Sequence, residues 1–85
     1  GEVDVVLPLE GNSGPVAIEI EYDVDPDDAA RFYQAILEVE RIRVRNGGYD
    51  WWVARDMSNA RLWTERFQCP TWHDYLRLRD RNTQT

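Results

Sequence analysis

The fold is decided by residues 16–48, whose sequence is VAIEIEYDVDPDDAARFYQAILEVERIRVRNGG. Apolar and polar residues alternate from Val16 to Val24, which is the period of a strand with one buried face. Residues 25–28 (DPDD) then have the chemistry of a helix start, with a capping aspartate, a proline at the first helical position, and two acids at the positive end of the helix dipole. The pattern predicts a strand that runs directly into a helix.

The predicted helix has one apolar stripe, because its apolar residues recur with a period of about 3.6. The stripe consists of Ala29, Phe32, Tyr33 and Ile36, with Leu37 and Val39 at its borders. Its continuation reaches Glu40 and Arg43, so the helix either leaves the core or meets a polar partner near its C-terminal end. Residues 46–48 (NGG) end the helix and offer a glycine for a left-handed cap.

The second half of the chain predicts a hairpin of two strands. Residues 49–56 form an aromatic-rich strand, residues 56–60 a turn, and residues 61–69 a third strand. Strict alternation assigns the side chains of the aromatic-rich strand to two faces. These faces are Tyr49/Trp51/Val53 and Asp50/Trp52/Ala54.

A second helix is predicted after Pro70, which stops the hairpin. Residues 71–74 (TWHD) resemble a capping box in which an aspartate replaces the usual glutamate. One side of this helix is expected to carry Trp72, Tyr75, Leu76 and Arg79.

The predicted order β-α-β-β-α defines the fold class as α+β, with a ferredoxin-like split βαβ unit and an antiparallel sheet. Residues 1–14 are expected to be a linker or arm, and residues 15–85 the domain. Two helices on one face of the sheet leave the other face bare, and in so small a chain a second copy is the simplest cover. We therefore expect a homodimer packed sheet to sheet, with Glu19, Glu21 and Trp52 at its interface.

Composition excludes several classes of function. The net charge of −6 argues against a general nucleic-acid binder, which needs a basic face to neutralise phosphates. A single cysteine rules out an intrachain disulfide, and with a single histidine it cannot complete a zinc site of Cys and His alone. No apolar run approaches the roughly 18 residues that would span a bilayer. Neither a metal ion nor a cofactor is predicted.

The charge is unevenly spread along the chain. Residues 1–40 hold eleven acids and one arginine, whereas residues 41–85 hold nine arginines and five acids. The two halves neutralise each other within the fold or across a dimer, or the basic half faces anionic lipid headgroups. Two alternatives are also open for Arg41, Arg43 and Arg45. They either form solvated ion pairs along the helix or face the lipid headgroups.

Several short motifs, taken in their order, resemble one protein family. They are Gly14-Pro15-Val16, Glu21-Tyr22, Val24-Asp25-Pro26-Asp27-Asp28, Phe32, the arginines at 41, 43 and 45, Gly47-Gly48-Tyr49-Asp50-Trp51, Asp56, Glu65-Arg66-Phe67, Trp72, Leu76-Arg77 and Arg81-Asn82-Thr83. Their order and spacing over about residues 14–83 is similar to the soluble C-terminal domain of major facilitator superfamily permeases. The branch is that of the transmembrane secretion effectors, which is related to the enterobactin exporter.

The resemblance implies a domain at the cytoplasmic face of the inner (plasma) membrane of a bacterium, attached after the last transmembrane helix of a proton-coupled exporter. Such domains resemble the dimeric α/β barrels of cofactor-free antibiotic-biosynthesis monooxygenases. Members of the family usually continue further and include the strand that completes the fold. The resemblance therefore also implies that this chain is a fragment whose last strand is missing.

The residues predicted to bind a ligand are Tyr22, Trp51, Trp52, Glu65 and His73. The aromatic side chains either line a pocket for a flat hydrophobic molecule or fill the core and the dimer interface. The single histidine is either a general base or a solvated residue at a helix start. No nucleophile with a base and an orienting group is evident in the sequence, so acyl-transfer chemistry is not supported.

Glu65 has an awkward position, because it shares a strand face with Trp63 and Phe67. Burial without a partner would raise its pKa, whereas an arginine would restore its charge. The hypotheses are a structural ion pair with Arg43, Arg79 or an arginine of a partner chain, or a carboxylate that senses protons or anchors a ligand.

From the sequence we expect a non-catalytic domain of an export permease that sets the pairing of the permease or senses a small molecule. One alternative is an enzyme of the antibiotic-biosynthesis monooxygenase type, which would oxidise a quinol-like substrate with oxygen. The other is a small-molecule-binding module of the same fold.

Overall fold

The computed structural model describes residues 10–83, with side chains up to Asp80. Its elements are β1 (Val16–Asp23), a single 3-10 turn (Pro26–Asp28), α1 (Ala29–Arg45), β2 (Tyr49–Arg55), β3 (Leu62–Cys69) and α2 (Trp72–Thr83). The predicted α+β class and the β-α-β-β-α order are confirmed. Residues 1–9 of the predicted arm lie outside the described residues.

The sheet has three antiparallel strands in the order β1-β3-β2, as a ferredoxin-like fragment requires. Ile18 on β1 is paired with Phe67 on β3, and Val53 on β2 is paired with Glu65 on β3. The strand β3 is therefore central and carries the most buried side chains of the sheet. Within residues 10–83, β1 and β2 each have one edge without a strand partner.

The start of α1 follows the prediction, with one added turn. The carboxylate of Asp25 accepts a hydrogen bond from the backbone N–H of Asp27 at 2.9 Å, and Pro26 occupies the first position. These contacts form a 3-10 turn, and the α-helix proper begins three residues later at Ala29. Short 3-10 turns are common at helix starts, because the first backbone N–H groups have no partner within an α-helix.

The end of α1 is capped by backbone groups of the Asn46-Gly47-Gly48 turn. The N–H of Gly48 donates to the carbonyl of Arg43 at 2.8 Å, and the N–H of Gly47 donates to the carbonyl of Val44 at 3.1 Å. Gly47 has a φ of 98°, a backbone conformation that residues with a side chain rarely adopt. The predicted glycine cap is thus confirmed.

The start of α2 forms the predicted cap, but its buried stripe differs from the prediction. The Thr71 hydroxyl accepts a hydrogen bond from the N–H of Asp74 at 3.2 Å and donates to the Asp74 carboxylate at 2.7 Å. Tyr75 and Leu78 are buried, whereas Arg79 is exposed. Arg79 was predicted to continue the stripe of Tyr75, and this prediction was wrong. The buried residue that follows Tyr75 is Leu78, three positions later, and not Arg79, four positions later.

A bulge in β2 overturns the predicted face of Tyr49. Tyr49 is paired with Gln68 and Trp52 with Arg66, so Asp50 and Trp51 together lie opposite a single residue of β3. Asp50 has a φ of 52°, in the left-handed region that bulges use and that aspartate tolerates. Strict alternation predicted Tyr49 on the face of Trp51, and the extra residue transfers it to the face of Trp52.

Both helices pack on the same face of the sheet. α2 closes over a cluster formed by the buried residues Ile18, Phe67, Cys69, Tyr75 and Leu78. α1 covers the other part of this face, where the ring of Phe32 lies 5.3 Å from that of Tyr22 and 5.2 Å from that of Trp63. The opposite face of the sheet carries no helix of the described chain.

Candidate functional site

The bare face of the sheet has no partner among the described residues. It is formed by the side chains that alternate away from the helices. They are Ala17, Glu19, Glu21 and Asp23 on β1, Leu62, Thr64, Arg66 and Gln68 on β3, and Tyr49, Trp52 and Ala54 on β2. Trp52 is the largest of them and is 41% exposed. We call this surface the bare face.

The bare face has a separated charge pattern. Its β1 edge carries three acids in a row, Glu19, Glu21 and Asp23, whereas Arg66 lies on the central strand. The guanidinium of Arg66 is 5.8 Å from the ring centre of Trp52, so it leans toward β2 and away from its register partner Glu19. Within the described residues, Asp23 is paired with Arg61 at 2.9 Å, and the other two acids have no ion pair.

A hollow of about 260 Å³ opens on the bare face next to the bulge. It is lined by Ala17, Asp50, Trp52, Arg66, Phe67 and Gln68. Two of its lining residues, Asp50 and Trp52, belong to the bulged part of β2. The lining combines the indole of Trp52 with one cation, one amide and the carboxylate of Asp50.

On the helix-covered face, Glu65 is the centre of a buried polar network. Its Oε2 accepts hydrogen bonds from Arg43 Nε at 3.0 Å and Trp51 Nε1 at 2.8 Å. Its Oε1 accepts from the Tyr22 hydroxyl at 2.7 Å and from Arg43 Nη2 at 3.2 Å. Glu65 is 0% exposed and Arg43 is 6% exposed. Each carboxylate oxygen therefore has two donors, which is the condition for burying a charge at acceptable cost.

The network shifts the pKa values of its members. Burial acts to raise the pKa of Glu65, but hydrogen bonds from Arg43, Trp51 and Tyr22 outweigh it, so the pKa is lowered overall. Burial and the hydrogen bond to Glu65 raise the pKa of Tyr22 to about 12. At neutral pH the network therefore holds a carboxylate, a guanidinium and a neutral phenol.

The structure selects among the predicted partners of Glu65. Arg43 on α1 forms an ion pair with Glu65 on the central strand β3. This ion pair is the polar partner that was predicted near the C-terminal end of the helix stripe. The guanidinium of Arg43 also lies 5.0 Å from the ring centre of Phe67. A lipid-facing role for Arg43 is ruled out by its burial, while Arg41 and Arg45 are exposed.

The five predicted ligand residues do not form one site. Tyr22, Trp51 and Glu65 meet in the buried network, whereas Trp52 lies on the bare face. His73 is exposed at the start of α2, where its backbone N–H donates to the carbonyl of Gly11. The sequence did not indicate that Tyr22 and Trp51 would donate to Glu65. The available signal was that Tyr22 was predicted on a buried strand face and that Glu65 shared its face with two aromatic residues.

Two further properties of the described residues concern metal ions and the membrane. Their His, Cys, Asp and Glu side chains form no group that could hold a metal ion. Of the helices in residues 10–83, none has the length and apolar character needed to cross a bilayer.

The chain is thus a small α+β domain with an open sheet, which helices cover on one side. Its two polar features are the bare face and the buried network around Glu65. Residues 2–85 match the model of the family described as transmembrane secretion effector, within the major facilitator superfamily. The chain belongs to this family and is thus related to membrane transport. No curated protein and no solved structure matches the chain.

Proposed function

We propose that this chain is an appended domain of an export permease and that it pairs two permeases by docking its bare face against that of a second copy. The observation that carries the proposal is the bare face itself, with an exposed tryptophan, an arginine and two acids that have no ion pair in the described chain. Family membership supports the link to export. A position at the cytoplasmic side of the membrane is part of the proposal.

Charge complementarity favours a second copy as the occupant. The row of acids lies at the β1 edge, and the only cation of the bare face, Arg66, is on the central strand. An antiparallel two-fold arrangement can bring the acidic edge of one copy toward the cationic centre of the other. Such an interface is self-complementary, as a two-fold dimer requires.

The size of the bare face sets the expected strength of pairing. Three strands of seven or eight residues present about 350–400 Å² of flat sheet per protomer. With the side chains included, two copies would bury roughly 1,000 Å², the lower end of specific interfaces. A dimer of the isolated domain is therefore weak, and tethering two copies to membrane domains would strengthen it through effective concentration.

Sedimentation velocity over a range of protein concentrations tests the pairing. We expect a reversible monomer–dimer equilibrium that weakens with added salt and is lost in the variant Trp52→Glu. The matched control is Val44→Glu, since Val44 is also an exposed apolar residue but lies on a helix. A monomer at the highest concentrations, or equal loss of the dimer in both variants, would contradict the proposal.

A second candidate function is small-molecule binding, which the hollow beside Trp52 and Arg66 favours. Its lining suits a planar molecule with a negative group, which would stack on the indole and pair with the guanidinium. Quenching of Trp52 fluorescence by aromatic carboxylates tests it, and Arg66→Gln is expected to abolish the quenching. Oxygen consumption with a quinol substrate in the absence of added cofactor would instead support the monooxygenase alternative.

A further inference from the structure

A second polar hollow lies away from the bare face, at the junction of the two helices. It has a volume of about 280 Å³ and is lined by Arg45, Asn46, Gly47 and Arg77. The first three residues are the last turn and cap of α1, and Arg77 comes from α2. The fold therefore brings two arginines together that are 32 positions apart in the sequence.

The two arginines have guanidinium groups available to a ligand. Arg45 is exposed and has no ion pair within the described residues. Arg77 is 60% exposed and uses Nη2 to contact the carboxylate of Asp74, one turn earlier on α2. Each guanidinium has five N–H donors, so this ion pair leaves most of those on Arg77 free.

The position at the C-terminal end of α1 does not by itself favour an anion, because the end of a helix carries partial negative charge. Here, however, that charge is reduced by capping. The carbonyl of Ile42 accepts from the Asn46 side chain at 2.8 Å, and the carbonyls of Arg43 and Val44 accept from the N–H groups of Gly48 and Gly47. The end of α1 beside the hollow thus has three capped carbonyls, and the lining of the hollow contributes two cations.

We propose that this hollow binds a phosphate group. A phosphate group offers at least two charged oxygens around a tetrahedral centre, so it can bind guanidinium groups from two different elements at once, and the planar fork of arginine matches its geometry. The group can belong to a phospholipid headgroup or to a soluble phosphorylated molecule, since both present the same chemistry to the hollow.

This site is independent of the proposed pairing. It uses the C-terminal end of α1 and the middle of α2, whereas the bare face uses the opposite side of the sheet. Asp74 and Asp80 flank Arg77 along α2 and reduce the local positive charge. The affinity for free phosphate is therefore expected to be modest, in the range of about 1 mM to 10 mM.

Titration of the protein with inorganic phosphate, followed by amide NMR at constant ionic strength, tests the proposal. We expect saturable shifts of the Gly47 and Arg77 amides, with affinity reduced by about fivefold or more in Arg45→Gln and in Arg77→Gln. The matched control is Arg31→Gln, because Arg31 is also exposed and contacts an aspartate three residues earlier in the chain. Its affinity should stay within about twofold of that of the wild type.

Vesicles distinguish the two sources of the phosphate. The protein is mixed with vesicles of phosphatidylcholine, with or without phosphatidylglycerol, and the bound fraction is measured by flotation. Binding only to the anionic vesicles that is lost in Arg45→Gln assigns the site to a lipid headgroup, whereas saturable binding of inorganic phosphate alone assigns it to a soluble molecule. Absence of both, or an equal loss in Arg31→Gln, would overturn the proposal.

Discussion

At the scale of single residues, the ion pair between Arg43 and Glu65 should be strongly coupled. Removing one partner leaves the other charged and buried, which typically costs about 3–5 kcal/mol. Arg43→Met and Glu65→Gln are each expected to destabilise the fold by about this amount, whereas the double variant should be destabilised by clearly less than their sum. The glutamine at position 65 can still accept from Tyr22 or Trp51. Urea denaturation at one low protein concentration measures the double-mutant cycle.

The chain provides a matched control for this cycle. Arg61 and Asp23 form an ion pair with an N–O distance of 2.9 Å, close to the 3.0 Å of the buried pair, but their side chains are 52% and 77% exposed. Water screens this pair, so its coupling should stay below about 1 kcal/mol. Similar coupling energies in the two cycles would show that burial does not determine the strength of the central pair.

At the scale of the elements, the bulge at Asp50 determines how β2 presents its side chains. Its φ of 52° is easy for glycine, tolerated by aspartate and strained for a β-branched residue. We expect Asp50→Gly to leave the stability of the domain within about 0.5 kcal/mol of wild type, and Asp50→Val to lower it by about 1–2 kcal/mol. Chemical denaturation measures both values.

The same pair of variants tests the link between the bulge and the bare face. If the valine removes the bulge, the register of Tyr49 returns to strict alternation, so its ring leaves the face of Trp52. The hydrogen bond from the Tyr49 hydroxyl to Gln68 would then be lost. If Asp50→Gly and Asp50→Val were equally stable, the left-handed backbone at position 50 would not be the feature that determines the bulge.

The sequence predicted these elements well where local chemistry decides them. The DPDD start and NGG end of α1, the alternation of β1, and the Thr71 cap of α2 depend on neighbours in the chain, and the structure confirms them. The bulge was missed because an aspartate in a strand gives no distinct sign of a left-handed backbone. Leu78 was missed because a helix stripe can advance by three or four residues, and only the packing partner decides which.

The polar network was only partly predictable for a related reason. A carboxylate at position 65 between two aromatic residues indicated that a cation must reach it, and Arg43 was among the arginines considered. Choosing among them requires the packing of α1 on β3, which no local pattern contains. The donors from Tyr22 and Trp51 depend on the register of all three strands, so they follow from tertiary structure alone.

At the scale of the whole molecule, the network makes the stability of the fold depend on pH at both extremes. The pKa of Glu65 is lowered on folding, so its contribution is present above the usual value of 4.5 and is lost as the pH falls through the folded-state pKa. The pKa of Tyr22 is raised from 10.0 to about 12, so the folded protein keeps a proton that the unfolded chain releases. Its contribution is therefore lost as the pH rises from 10 to 12.

The alkaline side of the pH profile gives the sharper test, because the Tyr22 hydroxyl can be removed while both members of the ion pair stay in place. We expect wild type to lose about 1–2 kcal/mol more stability than Tyr22→Phe between neutral pH and the alkaline end of this range, after allowance for the partial exposure of Tyr22. Urea midpoints across the pH range measure the difference. Tyr33→Phe is the control, since the Tyr33 ring is 44% exposed and its hydroxyl lies outside the network. Parallel curves for wild type and Tyr22→Phe would mean that the phenol does not couple folding to pH.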